Sequence, residues 1–280
     1  MSVKVVVDST ADVPAERVRE LDITVVPLLV LFGDESYRDG VDLDTDTFYA
    51  KLTSSKVTPT TSAPSPGAFE ETYRTLIREG ATGILQMCLS GDLSATYNTA
   101  VTVASQVSGE TGIPIEVVDS RSVSAGFGLP AQMVAREARE GLSLAELKVR
   151  AENICGRVHV FAVLDTLEYL QRGGRIGSAR ALVGTLLAVK PILEVRDGKV
   201  VPLEQVRTRS KAQERVGQLA ARFMPLEAIA VIGADEPTRQ QLADIAKRFW
   251  PGEMNLGALG PVVGTHAGPG AGGIVTISRE

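Results

Sequence analysis

The 280-residue sequence predicts an α/β fold in two domains. Its first part alternates short apolar runs, small polar loops and helical stretches, which is the pattern of a parallel sheet with right-handed crossovers. After about residue 157 a hairpin signal occurs among helical stretches and indicates a mixed sheet. We therefore expect an α/β domain over residues 1–157 and a mixed-sheet α/β domain over residues 158–280.

Four apolar runs predict the strands of the first domain, because each is short, β-branched or continuous, and followed by turn residues. They cover residues 3–7, residues 23–32 with an interruption near Pro27, residues 83–89 and residues 114–118. The helices expected around them cover residues 14–21, residues 44–52, a stretch opening at Pro66, a stretch opening after Ser94 and, after a turn at residues 126–128, a stretch ending near residue 141. Asp12 or Val13 is expected to cap the first helix, and Ser65 with Pro66 is a favourable N-cap and N1 pair.

The second domain reads as strands mixed with helices. Strands are predicted at residues 158–163, 191–195, 200–206, 228–233, 254–259, 261–265 and 274–278. Helices are predicted at residues 164–174, 178–188, up to about 223, and 237–249. Asp197-Gly198 supplies the tight turn of a hairpin, and Gly173-Gly174 is expected to end a helix.

Composition narrows the class of protein. The chain is 44% apolar and 22% charged, as is usual for a globular protein, and its net charge of −5 disfavours nucleic acid as the main ligand. Cys88 and Cys155 are too few for a disulfide framework and lack metal-ligand spacing, so we expect buried thiols in a reducing compartment. The longest apolar run, residues 23–32, is too short to span a membrane. We expect no signal peptide and a cytoplasmic location.

Small hydroxyl-bearing loops follow three of the predicted strands. They are Asp8-Ser9-Thr10, residues 90–94 and Asp119-Ser120. Ligands of parallel sheets bind beyond the carboxyl ends of the strands, where these loops lie. Their shared character therefore favours a binding site at this edge.

Residues 57–66 hold five hydroxyl side chains and three prolines. Proline fixes its own φ and extends the residue before it, so the segment is stiff. Neutral hydroxyl and backbone donors suit a carboxylate or phosphate oxygen. The alternative is an idle solvated loop, since such clusters usually mark loops.

Ser94 and His266 are further candidates for a binding site. Ser94 is predicted at the N-cap of a helix, where free amides attract anions, and the alternative role is capping alone. His266 follows a predicted strand in a glycine-rich loop and could donate to a carboxylate or a phosphoryl oxygen, or simply bond to backbone. Arg175, beside the diglycine, could pair with an anion or with an acidic partner, or could complement a helix C-terminus. His159 reads as a structural histidine within a strand.

The sequence lacks the motifs of several well-known catalytic and binding sites. Gly268-x-Gly270-x-x-Gly273 precedes a strand and does not open a helix, so we reject it as a dinucleotide site. The chain has neither a Gly-x-Ser-x-Gly elbow nor a phosphate-binding loop ending in Gly-Lys-Ser/Thr. Two histidines and unclustered carboxylates disfavour a transition-metal site. A hydrolase using Ser94 or Ser62 with His266 stays open as an alternative, as does a binding module for a small molecule other than a lipid.

An ordered set of segments resembles the DegV family, the fatty-acid-binding subunits that serve bacterial fatty acid kinase. In chain order the segments are Val7-Asp8-Ser9, Pro27-Leu28, Tyr37-x-Asp39-Gly40, Thr61-Ser62-x-Pro64-Ser65, Leu93-Ser94-x-Thr96-Tyr97, Val118-Asp119-Ser120, Asp165-Thr166-Leu167-Glu168-Tyr169-Leu170, Gly173-Gly174-Arg175-Ile176, Lys190-Pro191-Ile192 and Gly264-x-His266-x-Gly268-Pro269-Gly270. No single segment is decisive, but the ordered set spans nearly the whole chain.

The resemblance implies a three-layer α/β/α domain followed by a two-layer α/β domain with a mixed sheet. It also implies a carrier without catalytic residues or a cofactor of its own, which holds one long-chain fatty acid in an apolar tunnel. By motif position, Thr61, Ser62 and Ser94 would bond the carboxylate, with His266 close by and Arg175 near the head group and the partner. A separate ATP-dependent kinase would phosphorylate the carboxylate to an acyl-phosphate.

The sequence departs from the family pattern at two places. Gly91, Asp92 and Ala95 replace the usual residues around Ser94, and Ala63 stands where glutamine is common. Asp92 would weaken carboxylate binding unless it points to solvent, because like charges repel.

Overall fold

The computed structural model describes residues 3–182 and 189–280. The strands, in chain order, are β1 Val3–Asp8, β2 Thr24–Val26, β3 Leu29–Phe32, β4 Glu35–Arg38, β5 Thr60–Ser62, β6 Gly83–Cys88, β7 Ile115–Asp119, β8 Val158–Val163, β9 Lys190–Arg196, β10 Lys199–Val206, β11 Leu226–Gly233, β12 Asn255–Ala258 and β13 Gly272–Ser278. The α-helices are α1 Ala15–Glu20, α2 Thr45–Ser54, α3 Pro66–Arg78, α4 Thr96–Thr111, α5 Ala125–Arg139, α6 Leu144–Cys155, α7 Glu168–Arg172, α8 Arg209–Ala220, α9 Glu236–Ala246 and α10 Pro261–Ala267. Short 3₁₀ helices occupy Ser9–Ala11, Gly177–Leu182 and Ala221–Phe223.

The described strands form a parallel sheet, a mixed sheet and a small antiparallel sheet. The parallel sheet has the order β2-β1-β6-β7, and the mixed sheet has the order β10-β9-β8-β13-β11-β12, with only β11 and β12 parallel. The predicted α/β class, with a parallel sheet followed by a mixed sheet, is confirmed. The small sheet, with the order β4-β3-β5, was not predicted, because β4 lies outside the apolar runs and β5 lies in the proline-rich segment at residues 57–66.

Helix α5 lies between the two larger sheets and joins their cores. Helices α3 and α4 cover one face of the parallel sheet, while α5 and α6 cover the other. On its far side α5 packs against the mixed sheet, whose opposite face is covered by α8 and α9. Apolar residues of both sheets therefore share one continuous core. The mixed sheet begins with β8 at Val158, whereas the division into domains 1–157 and 158–280 stays a prediction.

Local sequence signals placed several elements correctly. The Ser65 side chain accepts a hydrogen bond from the Ala68 amide at the start of α3, with Pro66 in the first turn. Strands β9 and β10 pair as an antiparallel hairpin, and both turn residues, Asp197 and Gly198, have positive φ as the turn requires.

Helix α10 corrects the strand predicted at residues 261–265. Pro261 occupies its first turn, where a missing N–H costs nothing, and Val262 packs against the small sheet and α2. Two adjacent valines suggested a strand, but the proline start and this packing produce a helix. His266 therefore lies on the last turn of a helix and not in a loop.

Helix α5 corrects the turn predicted at residues 126–128. Gly126 and Gly128 lie inside the helix and bring it close to its neighbours. A Cβ atom on Gly126 would lie 2.7 Å from Val160 in the mixed sheet, and one on Gly128 would lie 2.0 Å from the Ala11 carbonyl oxygen. The glycines thus permit close packing between two layers.

Other helix boundaries also differ from the predictions. The N-cap of α1 is Pro14, not Asp12 or Val13. The helix predicted at residues 164–174 covers only Glu168–Arg172, and before it the Thr166 hydroxyl accepts a hydrogen bond from the Glu168 amide. Of the helix predicted at residues 178–188, Gly177–Leu182 forms a 3₁₀ helix and residues 183–188 lie outside the described part.

Candidate functional site

A mostly apolar cavity of about 140 Å³ lies between the mixed sheet, the loops of the parallel sheet and α10. Its apolar wall is formed by aliphatic side chains from all three, including Leu28, Leu89, Leu93, Val160, Leu164, Leu170, Leu193, Val195, Val200, Ile232, Leu259, Val262 and Val263. Such a wall suits a hydrocarbon ligand, because burying apolar surface is favourable and needs no specific geometry.

Two of the hydroxyl groups in the wall already have strong acceptors. The Thr10 hydroxyl donates to the Asp8 carboxylate, and the Ser124 hydroxyl donates to the Asp12 carboxylate. The polar side chains that remain to meet a ligand include Thr61, Ser94, Arg175 and His266.

Thr61 and His266 are in direct contact. The Thr61 hydroxyl and Nε2 of His266 share a hydrogen bond of 2.8 Å. Strand β5 alternates, so Thr61 faces the cavity while Thr60 and Ser62 are exposed. The pairing of β5 with β3 places Thr61 opposite the fully buried Val30 and fixes this register.

Burial keeps His266 neutral at physiological pH. Desolvation, followed by the positive charge of Arg175, lowers the pKa of His266 to about 4. Within the described residues its Nδ1 atom has no hydrogen-bond partner. The ring packs against Gly173, where a Cβ atom would lie 2.1 Å from Nδ1. Gly173 therefore makes room for the imidazole.

Ser94 lies at the start of α4, although it is not the N-cap residue. The N-cap is Ala95, which has no capping side chain, so this prediction was wrong by one residue. The Ser94 hydroxyl accepts a hydrogen bond of 3.2 Å from the Thr96 amide and shares one of 2.8 Å with the Thr96 hydroxyl. The Ser94 amide donates to the Ser90 carbonyl oxygen at 3.2 Å, at the end of the turn that precedes α4.

Arg175 connects the Ser94 loop with His266. Its Nε donates to the Leu93 carbonyl oxygen at 3.0 Å, and its Nη1 donates to the Gly173 carbonyl oxygen at 2.8 Å. The guanidinium thus bridges the residue before Ser94 and the glycine that packs on His266. Thr61, His266, Arg175 and Ser94 form one contiguous polar group on the cavity wall.

Ser62 is the predicted site residue that does not line this cavity. Its hydroxyl is exposed and donates to the Ala63 carbonyl oxygen at 3.2 Å. Ala63, next in the alternation, lines the cavity in its place. The two hydroxyls are adjacent in sequence but lie on opposite faces of the strand.

The loop departures around Ser94 have a geometric explanation. The Asp92 side chain is 47% exposed and lies 3.8 Å from the Lys199 Nζ atom, so its charge faces the β9–β10 hairpin and solvent. Asp119 accepts hydrogen bonds from the Gly91 and Arg121 amides and braces the loop without lining the cavity. The Asp92 charge is therefore directed away from the polar group.

Sequence reasoning missed three buried or partly buried carboxylates behind the cavity. Asp8, Asp12 and Asp39 line a second cavity of about 550 Å³. Desolvation raises the pKa of Asp8 to about 6 and that of Asp39 to about 7, and it raises the pKa of Asp12 well above its ordinary value. The signals in the sequence were the Asp8-Ser9-Thr10 loop after a predicted strand and the presence of Asp8 and Asp39 in two of the ordered motifs.

The polar group does not form a hydrolytic triad among the described residues. The hydroxyl bonded to His266 belongs to a threonine, and Nδ1, which a carboxylate would orient in a triad, has no partner there. The Ser94 hydroxyl bonds to Thr96. This geometry does not favour the hydrolase alternative.

Metal-binding clusters and membrane-spanning helices are both absent from the described residues. In residues 3–182 and 189–280 no cluster of three or more His, Cys, Asp or Glu side chains is arranged to hold a metal ion. Across the same ranges, none of the helices has the length and hydropathy needed to cross a membrane. His159 stacks on Phe223, with ring centroids 3.4 Å apart, and does not line the cavity.

The sequence matches a known family over almost its full length. The family model described as "Uncharacterised protein, DegV family" matches residues 2–279. A DegV domain-containing protein of Streptomyces coelicolor is 39% identical over 283 residues, with 99% of both chains covered.

Solved structures agree in fold over the whole chain. A DegV family protein from Thermus thermophilus, described by its fatty acid binding, superposes with a TM-score of 0.89 at 32% identity, with 100% of both chains covered. DegV of Bacillus subtilis, described as a fatty acid binding protein, superposes with a TM-score of 0.88 at 33% identity, also with 100% of both chains covered.

Proposed function

Because the chain belongs to the DegV family, we propose that it binds one long-chain fatty acid, with the alkyl tail in the apolar cavity and the carboxylate at Thr61, Ser94 and His266. The observation that carries this proposal is the cavity itself, whose wall is mostly aliphatic and has the polar side chains of Thr61, Ser94, Arg175 and His266 on one part of it. The fatty-acid ligands of structural neighbours support the same ligand class.

The tail would provide most of the affinity. Each methylene group removed from water contributes about 0.8 kcal/mol, so an alkyl chain gains several kcal/mol without any directional contact. The polar group then needs only to orient the carboxylate and to keep it from being buried without partners, which is costly.

The head-group site offers neutral donors. The hydroxyls of Thr61 and Ser94 and the neutral imidazole of His266 can donate hydrogen bonds without forming an ion pair. Arg175 lies beside them with two of its donors directed at backbone carbonyls. Ser62, expected at the head group by motif position, could reach it only if β5 were rearranged, because its side chain now faces outward.

We further propose that a partner kinase phosphorylates the bound carboxylate. Thr61, Ser94, Arg175 and His266 all keep partial exposure, so the carboxylate would lie near the surface. A carboxylate oxygen would attack the γ-phosphorus of ATP held by the kinase, releasing ADP and leaving an acyl-phosphate. Hydroxyl donors leave the carboxylate more nucleophilic than an arginine clamp would.

Ligand extraction and binding measurements test the proposal. Organic extraction of the purified protein should release a fatty acid identifiable by mass spectrometry, and the delipidated protein should bind oleate at one site. Thr61→Val, Ser94→Ala and His266→Ala should each weaken oleate binding several-fold, because each removes a donor worth about 1 kcal/mol. Thr60→Val is the matched control, since Thr60 is exposed on the same strand and should bind as the unsubstituted protein does.

The outcomes separate the two parts of the proposal. Failure to recover or bind any fatty acid would refute it as a whole. In the presence of ATP and a fatty acid kinase catalytic subunit, hydroxylamine should trap the acyl-phosphate as a hydroxamate. Oleate binding without hydroxamate formation would remove the kinase step and leave the carrier.

A further inference from the structure

Helix α10 begins without a capping side chain of its own. Its N-cap is Gly260, and Pro261 in the first turn has no amide hydrogen. The first amides of a helix lack intrahelical partners and must find acceptors elsewhere. The acceptors at this helix come from the opposite end of the chain.

Two carboxylates accept those amide hydrogen bonds. The Gly260 amide donates to Oδ1 of Asp12 at 3.0 Å, and the Val262 amide stabilises the charged form of the Asp39 carboxylate and so lowers its pKa. A negative charge at a helix N-terminus is favourable, because the helix dipole places partial positive charge there. Asp12 and Asp39 thus act as the cap that Gly260 cannot provide.

Each carboxylate is itself held in place. Asp39, only 4% exposed, accepts a hydrogen bond of 2.7 Å from the Ser9 hydroxyl, which in turn accepts one from the Leu28 amide. Asp12 accepts a hydrogen bond from the Ser124 hydroxyl.

The backbone is strained at Asp12 and at its hydrogen-bond partner Ser124. Asp12 has a φ of 50° and Ser124 a φ of 58°, a region that favours glycine. Such conformations persist where the surrounding structure holds them, often at functional sites.

Gly260 leaves the space that this contact requires. A Cβ atom on Gly260 would lie 2.6 Å from Oδ1 of Asp12, closer than two such atoms can approach. Any side chain at this position would push the carboxylate and the helix apart.

We propose that Asp39 and Asp12 are positioning residues that fix the N-terminus of α10 and, through the helix, hold His266 against Thr61 in the head-group site. The consequence for fatty-acid affinity rests on the proposed function, whereas the position of His266 does not. The inference also gives a role to the Tyr37-x-Asp39-Gly40 motif, whose Asp39 does not line the apolar cavity.

The surroundings show that these carboxylates are costly to keep. The titratable groups near Asp39 and Asp12 include Asp8 and, from α2, Tyr49, while Arg19 and Asp44 line the outer part of the adjoining cavity. No ion pair to Asp8, Asp12 or Asp39 occurs within the described residues. Burial raises the pKa of each, and repulsion from neighbouring carboxylates raises the pKa of Asp12 and Asp39 further. The amides and hydroxyls named above hold the three carboxylates in place.

NMR titration of the ligand-free protein tests the inference directly. The chain has only two histidines, so the ring signal of His266 can be assigned against His159. Asp39→Ala should free the start of α10, expose His266 to water and raise its pKa from about 4 toward 6.5. The His159 titration should not change. Oleate binding should weaken several-fold, and by no more than in His266→Ala, because Asp39 acts through the position of His266.

Companion variants distinguish positioning from general damage. Asp39→Asn keeps a carbonyl acceptor for the Val262 amide and should restore much of the His266 behaviour, while Gly260→Ala should reproduce the Asp39→Ala effect. Asp46→Ala is the matched control, because Asp46 is an exposed aspartate on α2. If Asp39→Ala fails to fold, the unsubstituted protein provides the test. The NMR shifts of its Gly260 and Val262 amides should change with pH as the carboxylates of Asp12 and Asp39 titrate.

Three outcomes would overturn the inference. The first is an unchanged His266 titration in folded Asp39→Ala. The second is a loss of oleate affinity in Asp46→Ala that equals the loss in Asp39→Ala. The third is that the NMR shifts of the Gly260 and Val262 amides do not respond to pH. If the unsubstituted protein binds no oleate but the His266 shifts occur as described, the fatty-acid function fails and the positioning role stands.

Discussion

His266 acquires its properties from residues distant in sequence. Thr61 bonds to Nε2, Gly173 packs against the ring and Arg175 contributes to the lowered pKa. A histidine flanked by glycines predicts none of these contacts. The neutral state and the orientation of the ring therefore come from its packing and not from its local sequence.

Gly173→Ala should disturb this packing. The backbone tolerates alanine, since Gly173 has a φ of −75°, but the new Cβ would lie 2.1 Å from Nδ1 of His266. Overpacking of this kind costs about 1–3 kcal/mol, so we expect weaker oleate binding and a shifted His266 ring signal. Calorimetry and NMR measure the two effects.

Gly109→Ala is the control for this variant. Gly109 lies in α4, and a Cβ atom there would meet nothing within 4 Å. It should bind oleate normally and be slightly more stable, because alanine favours the helix. Wild-type binding by Gly173→Ala would show that the glycine contact does not shape the site.

At the scale of elements, helix starts were predictable where the cap is local. Ser65 and Asp44 each accept an amide hydrogen bond three residues further on, as their sequence positions suggest. Helix α10 differs, because its acceptors belong to Asp12 and Asp39. A cap supplied across the fold leaves no signal in the neighbouring sequence.

The capping box of α6 provides an element-scale prediction. The Ser143 amide donates to the Glu146 carboxylate at 2.8 Å, and the Ser143 hydroxyl accepts from the Glu146 amide at 3.4 Å. Ser143→Ala should lower the free energy of unfolding by about 1 kcal/mol, measured by urea denaturation. Ser143→Thr should retain most of the stability that the capping box provides.

Oleate binding should be unaffected in both Ser143 variants. Residues of α6 do not line the cavity. A change in affinity at unaltered stability would contradict this separation of the helix from the site.

At the scale of the whole molecule, one core joins the parallel and mixed sheets. Helix α5 supplies residues to both, and the cavity lies where the loops of one sheet meet the face of the other. Opening the cavity therefore involves the interface between the two sheets. The carboxylates of Asp8, Asp12 and Asp39 lie at the same interface.

Asp39 should make stability depend on pH. Its folded pKa, about 7, exceeds the unfolded value near 4, so between these values the folded state holds a proton that the unfolded state has lost. The contribution of Asp39 to stability is therefore full below about pH 4 and is lost as the pH rises toward 7. His159 and His266, whose pKa values are lowered, act in the opposite direction.

Comparison with Asp39→Asn isolates this contribution, because both histidines are present in each protein. The free energy of unfolding of the variant, minus that of the unsubstituted protein, should rise with pH by up to about 1.4 kcal/mol per pH unit between about pH 4 and 7. Urea denaturation at several pH values measures it. A difference for Asp39→Asn that does not change with pH would refute the assignment.

The sequence by itself determined the α/β class, the parallel-then-mixed order of the sheets, the β9–β10 hairpin and the start of α3. These follow from periodicity, turn residues and caps, which act over a few residues. It also identified Thr61, Ser94, Arg175 and His266 as candidates, all of which line the cavity. Only the tertiary structure decided that residues 261–267 form a helix, that Thr61 faces inward while Ser62 faces out, and that Asp12 and Asp39 cap α10. Each of these depends on contacts between segments far apart in the chain, which no local pattern records.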